Sequence, residues 1–483
     1  MRTARYKGGW PTAISPVTSI ECFGSIRKVK LRTAAGLGLF ACVLVIQGIA
    51  ITESYLWAAP LLGTAVVLVA PDVPLVPSLT AILLIRVLTD ASLSSRALRH
   101  SGAFNLSGAI AILFVLLAAG LLMRRRRAVW PAALVGAWLV FWTLIAANSH
   151  GASLETAREG VREAAIVALG IIVYNSQGVL DLASVTRIIQ IICVGAAAVA
   201  LYQFATHSGL NIHGEVRANG TIEHPDGAAM LFAVATTVSV WRYFDFGRRR
   251  LDVVLTGVFG AATVVTFSLG GVAGLLVMLI MYGTLRPGSF RLKVGAYTIA
   301  TVLMIGFLLT PLGAERVAQA SSTNLASAQT RHVNSSLAWR LFKWQTLLPE
   351  WEREPIFGQG LGTTVTAEGT AENITAGLVP HNEYLRTLVE TGVVGFVLTI
   401  VALVMVVRGL SRRRHLSGTA NGAALGIAVV AGCLVNAAAD NTFLYSTTAY
   451  PVAMIVAAVL SIRYVRSSRD SRRLLMNRSS LAI

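Results

Sequence analysis

Basic and polar side chains that could act on a phosphate lie beside apolar stretches in the central and C-terminal parts of the chain. Arg217 precedes one apolar stretch, Arg340 and Lys343 lie in a polar segment, and His381 opens a further apolar stretch. Arginine binds phosphate oxygens through a bidentate fork and keeps its charge in proteins. A neutral histidine can accept a proton from a hydroxyl group. This set would suit a lipid-linked pyrophosphate at a membrane surface, with His381 taking the proton of an acceptor hydroxyl.

Each of these residues also has a plain structural interpretation. Arg340 could merely extend its aliphatic stem beside Trp344, and a lone histidine at an interface is more often structural than catalytic. Arg386 and Glu390 are four residues apart, which favours an ordinary ion pair on a helix. Asp440 could simply cap the last apolar helix.

The composition places these residues in an all-α polytopic integral membrane protein. The chain has 483 residues, of which 55% are hydrophobic and 13% charged, whereas soluble domains carry about 25% charged residues. Many apolar stretches approach the roughly 20 residues that a membrane helix needs. We therefore predict about 12 to 14 transmembrane helices and one long external loop. Arg86, in the apolar run AILLIRVL, is costly within a membrane unless it extends to the outer surface.

The basic residues indicate the topology. The net charge is +18, but the arginines and lysines form short clusters between apolar stretches, which encodes orientation and argues against a nucleic-acid partner. The alternation of these clusters places both termini in the cytoplasm and all histidines except His415 on the outer side. Five regions follow: a cytoplasmic basic tail (1–33), an N-terminal transmembrane bundle (34–310), a long external loop with an amphipathic helix (311–380), C-terminal transmembrane helices (381–462) and a cytoplasmic basic tail (463–483).

Within the external loop the pattern predicts a helix around Arg340. Apolar residues recur there at helical spacing, a serine can cap the start, and Pro349 should end or kink the helix. The glycine-rich run Pro355–Gly362 predicts a loop. A new helix should then begin at Pro380, His381 and Asn382, which would put His381 in its first turn.

Several kinds of chemistry find no support in the sequence. The four cysteines form no C-x-x-C pair or cysteine–histidine cluster, so neither a disulfide framework nor a zinc site is indicated. Walker, G-x-S-x-G and H-E-x-x-H motifs are missing. We therefore expect no metal and no cofactor.

Several motifs, in order, resemble those of one family. They are R-x-x-x-W at Arg340–Trp344, P-I-F-G-Q-G-L-G from Pro355, and H-N-E-Y-L-R-T-L-V-E-T-G-V-V-G at His381–Gly395. Together they resemble the O-antigen ligase/polymerase family. The run R-A-N-G-T-I-E-H-P-D-G from Arg217 is similar to that family's R-x-x-G-x-x-x-x-P-N, and Asp440-Asn441 matches a late acidic position.

This resemblance implies an all-helical membrane glycosyltransferase of the polyprenyl-phosphate-sugar type. Its donor is a glycan on a polyprenyl pyrophosphate at the outer face of the plasma (inner) membrane, and its acceptor is a hydroxyl of a glycan, glycolipid or protein. Neither nucleotide nor metal takes part. The site residues implied are His381 as the catalytic group, Arg217, Arg340, Lys343 and Arg331 for the donor pyrophosphate, and Asn382, Glu390, Trp344 and Asp440 in support.

One departure from the family concerns the turn Thr266–Gly271. Family ligases often carry Ser-Arg-Gly there, whereas Leu269 stands in the arginine's place in this chain. Either another outer arginine, such as Arg331, supplies the charge or donor binding differs. A transporter or flippase of lipid-linked glycans is the alternative, although such proteins often show repeats and midplane charges.

Overall fold

The computed structural model describes residues 75–93, 106–125, 129–150, 154–212, 215–247, 249–287, 290–321, 336–366, 380–416 and 418–462. Both predicted basic tails, the first two apolar stretches (about 34–51 and 55–70) and Arg331 lie outside these residues.

The described part is helical apart from one short hairpin. Its helices are α1 (Leu75–Leu88), α2 (Asp90–Leu93), α3 (Leu106–Arg125), α4 (Val129–His150), α5 (Leu154–Asn175), α6 (Leu182–Thr206), α7 (Pro225–Asp245), α8 (Arg250–Val265), α9 (Leu269–Leu285), α10 (Phe290–Leu309), α11 (Pro311–Ser321), α12 (Ser336–Arg353), α13 (Thr363–Thr366), α14 (Glu383–Arg414), α15 (Ala420–Ala437) and α16 (Ser446–Ser461). Strands β1 (Leu210–Ile212) and β2 (Glu215–Arg217) pair antiparallel between α6 and α7.

Four of the described helices, α6, α7, α14 and α15, are long and apolar enough to cross a membrane. Further apolar helices, among them α1, α9 and α16, are shorter. This architecture is consistent with the predicted all-α membrane protein, while the predicted 12 to 14 crossings remain a prediction.

Helix α7 lies at the centre of the bundle. Every residue from Pro225 to Arg242 is buried, and α6, α8, α9, α15 and α16 pack around the helix. α9 and α15 approach closely beside it, since a Cβ on Gly432 would lie 2.5 Å from the carbonyl oxygen of Gly274. Small residues at such crossings let membrane helices approach closely. The start of α7 is therefore held by packing on all sides.

Arg86 fixes the segment that leads into α7. It forms an ion pair with Asp90 and donates a hydrogen bond from Nη2 to Ser446 Oγ at 3.0 Å. Asp90 Oδ2 in turn accepts from the backbone N–H of Glu223 at 3.0 Å. Because Arg86 is 8% exposed, the interpretation that it extends to the outer surface is wrong. It is a buried, paired arginine that ties α1, the pre-α7 segment and α16 together.

The segment between α11 and α14 has a helix where the pattern predicts one, but its end differs. α12 runs past Pro349 to Arg353. The expectation that Pro349 ends the helix is therefore wrong, while the alternative, a kink at Pro349, stays a prediction.

The glycine-rich segment Pro355–Leu361 interlocks with a break in α14. At Gly392 the backbone has φ 62° and ψ −170°. Backbone groups on either side of this break form hydrogen bonds with the loop. Val393 N–H donates to Pro355 O at 2.9 Å, and Gln359 N–H donates to Val389 O at 2.9 Å. A Cβ on Gly392 would lie 2.3 Å from Ile356 O. Gly392 therefore permits a close backbone contact between the loop and α14.

Candidate active site

Arg217 lies at the end of the hairpin that precedes α7. It is the last residue of β2, and its side chain turns back against the loop between α8 and α9. Its Nε donates to the backbone oxygen of Thr266 at 2.9 Å, and its Nη2 contacts Asp226 Oδ1 at 2.7 Å. Thus the turn that lacks the family's arginine at Leu269 is contacted by Arg217 instead.

Asp226 joins the two arginines predicted to bind the donor. Besides Arg217 at 2.7 Å, Arg340 Nη2 approaches Asp226 Oδ2 at 3.9 Å from α12. Arg340 Nε is buried without a hydrogen-bond partner in the described part of the chain, so this guanidinium has unused donor capacity. Asp226 was missed from the sequence, although it occupies the asparagine position of the R-x-x-G-x-x-x-x-P-N pattern.

His381 lies just before helix α14 and not in its first turn. Asn382 is the N-cap, and its Oδ1 accepts from the backbone N–H groups of Tyr384 and Leu385 at 3.0 and 3.1 Å. His381 adopts a left-handed backbone with φ 50°. The predicted helix start is thus wrong by a few residues, because the asparagine side chain caps the helix better than the residues before it.

Asp440 fixes the orientation of the His381 ring. Nδ1 of His381 and Oδ1 of Asp440 are 2.9 Å apart. An ionised carboxylate can only accept, so Nδ1 carries the hydrogen, and in the neutral ring Nε2 is then an acceptor. The interpretation of Asp440 as a cap of the last helix is wrong, since α16 begins after Tyr445.

A second histidine, His224, lies near both Asp226 and His381. It is the N-cap of α7, and its Nδ1 is 3.5 Å from Asp226 Oδ2. Its ring centroid is 6.0 Å from that of His381, and the ring lies parallel to Tyr445 with a 7° interplanar angle. Burial lowers the pKa of His224 below its ordinary value.

Helix α12 also carries Lys343 and Trp344, which the sequence assigns to the site. Trp344 Nε1 donates to Pro380 O at 2.9 Å, which ties α12 to the residue before His381. Lys343 is buried, and that burial lowers its pKa to about 8. Trp344 therefore supports the position of His381.

Glu390 belongs to a separate ion cluster. Arg386 contacts Glu390 at 3.3 Å, as the four-residue spacing predicts, but it also contacts Glu159, Glu163 and Glu383 at 2.6, 2.8 and 2.9 Å. Thr364 Oγ1 donates to Glu390 Oε1 at 2.5 Å. This cluster joins α5 to the first turns of α14, the helix that follows His381. Glu390 therefore supports the packing of this helix.

Three of the site's side chains are also spaced as cation ligands could be. One ligand atom each from Asp226, His381 and Asp440 lies within 4.8 Å of the others. However, Arg217 and Arg340 already face Asp226, and two guanidinium charges oppose a cation at this position.

The mainly helical architecture, with four described helices long and apolar enough to cross a membrane, is consistent with an α-helical membrane protein, and a family comparison specifies the class further. Residues 253–400 match the family model described as O-Antigen ligase. The match spans the turn at Leu269, Arg340 and His381, and it supports assignment to the O-antigen ligase family, so the resemblance drawn from the motifs is confirmed. A glycosyltransferase-like role in polysaccharide assembly at a membrane follows. Among curated proteins, none matches the chain.

Proposed function

We propose that this protein transfers a glycan from a polyprenyl-pyrophosphate donor to an acceptor hydroxyl at the outer face of the plasma membrane. The acceptor is a glycan, a glycolipid or a protein. The observation that supports this most is the His381–Asp440 pair next to the Arg217–Asp226–Arg340 cluster. A base held by a carboxylate beside two arginines suits transfer from a pyrophosphate leaving group.

The proposal assigns a role to each residue of the site. Nε2 of His381 takes the acceptor's proton while the acceptor oxygen bonds to the anomeric carbon of the donor glycan. The bond from that carbon to the phosphate oxygen breaks, and the electron pair leaves with the polyprenyl pyrophosphate. Arg217 and Arg340 stabilise this leaving group, and Asp440 stabilises the imidazolium.

The arginines reach the pyrophosphate in competition with Asp226. Arg340 is the looser partner, at 3.9 Å from the Asp226 carboxylate, and its Nε has no described partner. We therefore assign Arg340 the first contact with the donor, with Lys343 and Arg331 supplying further positive charge. Arg217, buried against Thr266 O, fixes the depth at which the pyrophosphate sits.

The orientation is part of the proposal. Both termini are placed in the cytoplasm and residues 311–380 outside, because the basic clusters follow the positive-inside rule. Cysteine labelling from outside should then modify a probe at Thr330 and spare one at Arg413.

The function is tested with purified protein in vesicles that contain a synthetic polyprenyl-pyrophosphate oligosaccharide and an added lipid-linked acceptor. We expect a covalently extended acceptor and release of polyprenyl pyrophosphate. His381→Ala, the control, should retain donor binding and lose most transfer. Movement of the intact donor across the bilayer without product would instead identify a transporter or flippase.

A further inference from the structure

His224 offers a hydrogen-bond donor that the arginine–histidine scheme lacks. Its Nδ1 accepts from the backbone N–H of Asp226 at 3.3 Å, as the N-cap of α7. A ring nitrogen that accepts carries no hydrogen, so in the neutral ring the hydrogen resides on Nε2. Burial, which lowers the pKa of His224, keeps the ring in this neutral form at pH 7.

The Nε2 atoms of the two imidazoles therefore have opposite hydrogen-bonding roles. His381 directs Nδ1–H to Asp440 and leaves Nε2 as an acceptor, whereas His224 uses Nδ1 as an acceptor and leaves Nε2–H as a donor. Nothing in the described part of the chain bonds to either Nε2, and neither atom is among the buried unpaired polar atoms. The side chains of His224 and His381 are 27% and 26% exposed, so a ligand can reach both rings.

His224 adjoins both the Asp226 carboxylate and His381. It lies 3.5 Å from the Asp226 carboxylate that faces Arg217 and Arg340, and its ring centroid is 6.0 Å from that of His381. The arginines face the pyrophosphate and His381 faces the acceptor hydroxyl. The bond that breaks, between the anomeric carbon and the phosphate oxygen, lies between those two groups.

From this arrangement we infer that His224 is a catalytic residue whose Nε2–H donates a hydrogen bond to the phosphate oxygen that leaves the anomeric carbon. No proton is transferred from His224. The electron pair of the broken bond remains on the oxygen, and the acceptor's proton goes to His381. The inference rests on the proposed function. It adds to the site a second histidine, whose Nε2–H donates a hydrogen bond, whereas Nε2 of His381 accepts one.

Two substitutions separate this role from the capping role. In His224→Asn the side-chain oxygen takes the position of Nδ1, so the N-cap of α7 is kept while the distal donor is lost. In His224→Gln the amide can reach the position of Nε2–H while the cap is weakened. The control is His207→Asn, because His207 is exposed and its left-handed backbone (φ 53°) suits asparagine.

Steady-state transfer is measured with the synthetic polyprenyl-pyrophosphate oligosaccharide. We expect His224→Asn to lower kcat by about tenfold to a hundredfold, as loss of a hydrogen bond to a charged group does. The KM for the donor should change little, because the bond strengthens as charge develops. His224→Gln should recover most of kcat, and His207→Asn should equal the wild type.

Wild-type kcat in His224→Asn would overturn the inference. So would equal loss in both His224 variants at normal expression, since that result assigns the effect to packing of the imidazole on Tyr445. If the wild-type protein transfers no glycan, the proposed function itself fails and the inference fails with it. The first two results leave the proposed function intact, so the failures can be told apart.

Discussion

His381 and Asp440 are 59 residues apart in the chain and meet at 2.9 Å between Nδ1 and Oδ1. The histidine precedes α14 and the aspartate follows α15, so the contact joins the start of one helix to the end of the other. Asp440 is buried, and its other oxygen, Oδ2, has no hydrogen-bond partner among the described residues. The contact with His381 is therefore the main described stabilisation of this carboxylate.

The first prediction concerns the charge of Asp440. In Asp440→Asn the side-chain oxygen can still accept from Nδ1–H, but the negative charge that stabilises an imidazolium is lost. We expect kcat to fall by about a hundredfold to ten-thousandfold, with donor binding nearly unchanged. Transfer kinetics and donor binding are measured on the same preparation. Turnover close to wild type would show that His381 does not act as a base supported by Asp440.

A second prediction concerns the competition of Asp226 with the donor. Asp226→Asn removes the carboxylate from Arg217 and Arg340, so more of their positive charge is available to the pyrophosphate. We expect a lower KM for the donor. The same change leaves the buried Arg217 without its counter-ion, so thermal stability should fall without donor and be restored by it.

Thermal unfolding with and without donor measures both effects of Asp226→Asn. The matched variant is Asp181→Asn, because Asp181 also lies at a helix N-terminus but is exposed. A weaker donor affinity in Asp226→Asn would show that the carboxylate assists donor binding and does not compete with it.

The pKa of Lys343, about 8 because of burial, gives a third prediction. Above pH 8 the folded protein loses this proton while the unfolded chain keeps it up to its ordinary pKa of 10.5. Stability from this group therefore rises with pH between about 8 and 10.5. In the proposed function Lys343 contributes positive charge to donor binding, and its deprotonation removes that charge, so donor binding should weaken over the same pH range.

We accordingly expect the KM for the donor to rise from pH 7 to pH 9 in the wild-type protein. Lys343→Gln should have a high KM with little pH dependence over this range. The measurement is initial-rate kinetics at fixed ionic strength. An identical rise in KM for both proteins would assign the pH dependence to another group.

The sequence was sufficient to place the helices but not the contacts between distant segments. Long apolar runs and glycine-rich loops are local signals, which is why the helix around Arg340 and the loop from Pro355 could be predicted. The meeting of His381 with Asp440, or of Arg340 with Asp226, depends on how α7, α12, α14 and α15 pack. Asp226 has a local signal in the sequence, because it stands at the asparagine position of a motif. No local signal indicates that it pairs with two arginines.

Small errors at helix ends have a similar origin. His381 was assigned to a helical turn because it follows proline, yet the adjacent Asn382 caps the helix and leaves His381 outside it. Pro349 is expected to end or kink α12, but the helix continues past it to Arg353. Local preferences of about 1 to 3 kcal/mol are readily overridden by packing.

A fourth prediction tests the interlock between the glycine-rich loop and α14. In Gly392→Ala the new Cβ would lie 2.3 Å from Ile356 O, in a backbone with φ 62°. Both strain and collision oppose folding, so we expect a loss of more than about 3 kcal/mol in the free energy of unfolding. Gly418→Ala has a similar φ of 81° but open space around its Cβ, so it should lose about 1 kcal/mol.

Folded yield and thermal unfolding in detergent distinguish the two glycine variants. Equal stability of Gly392→Ala and Gly418→Ala would mean that the loop moves aside and that the interlock contributes little to the fold.

The last prediction concerns metal. Asp226, His381 and Asp440 bring ligand atoms within 4.8 Å of one another, a spacing that would suit a divalent cation if the surroundings were neutral or acidic. Arg217 and Arg340 make them basic, and the leaving pyrophosphate can be stabilised by guanidinium groups alone. We therefore expect transfer to persist in EDTA and to be unaffected by added Mg²⁺ or Mn²⁺.

The test compares wild type with Asp226→Asn in EDTA and across a series of Mn²⁺ concentrations. We expect transfer by both the wild type and Asp226→Asn to be independent of metal, because Asp226 then affects transfer only through its contacts with the arginines. If transfer is lost in EDTA and restored by Mn²⁺, and if Asp226→Asn needs more Mn²⁺ for half of its maximal rate, the three side chains hold a cation. The arginines would then act on a metal–pyrophosphate complex, and His381 could not be both a ligand through Nδ1 and a base held by Asp440.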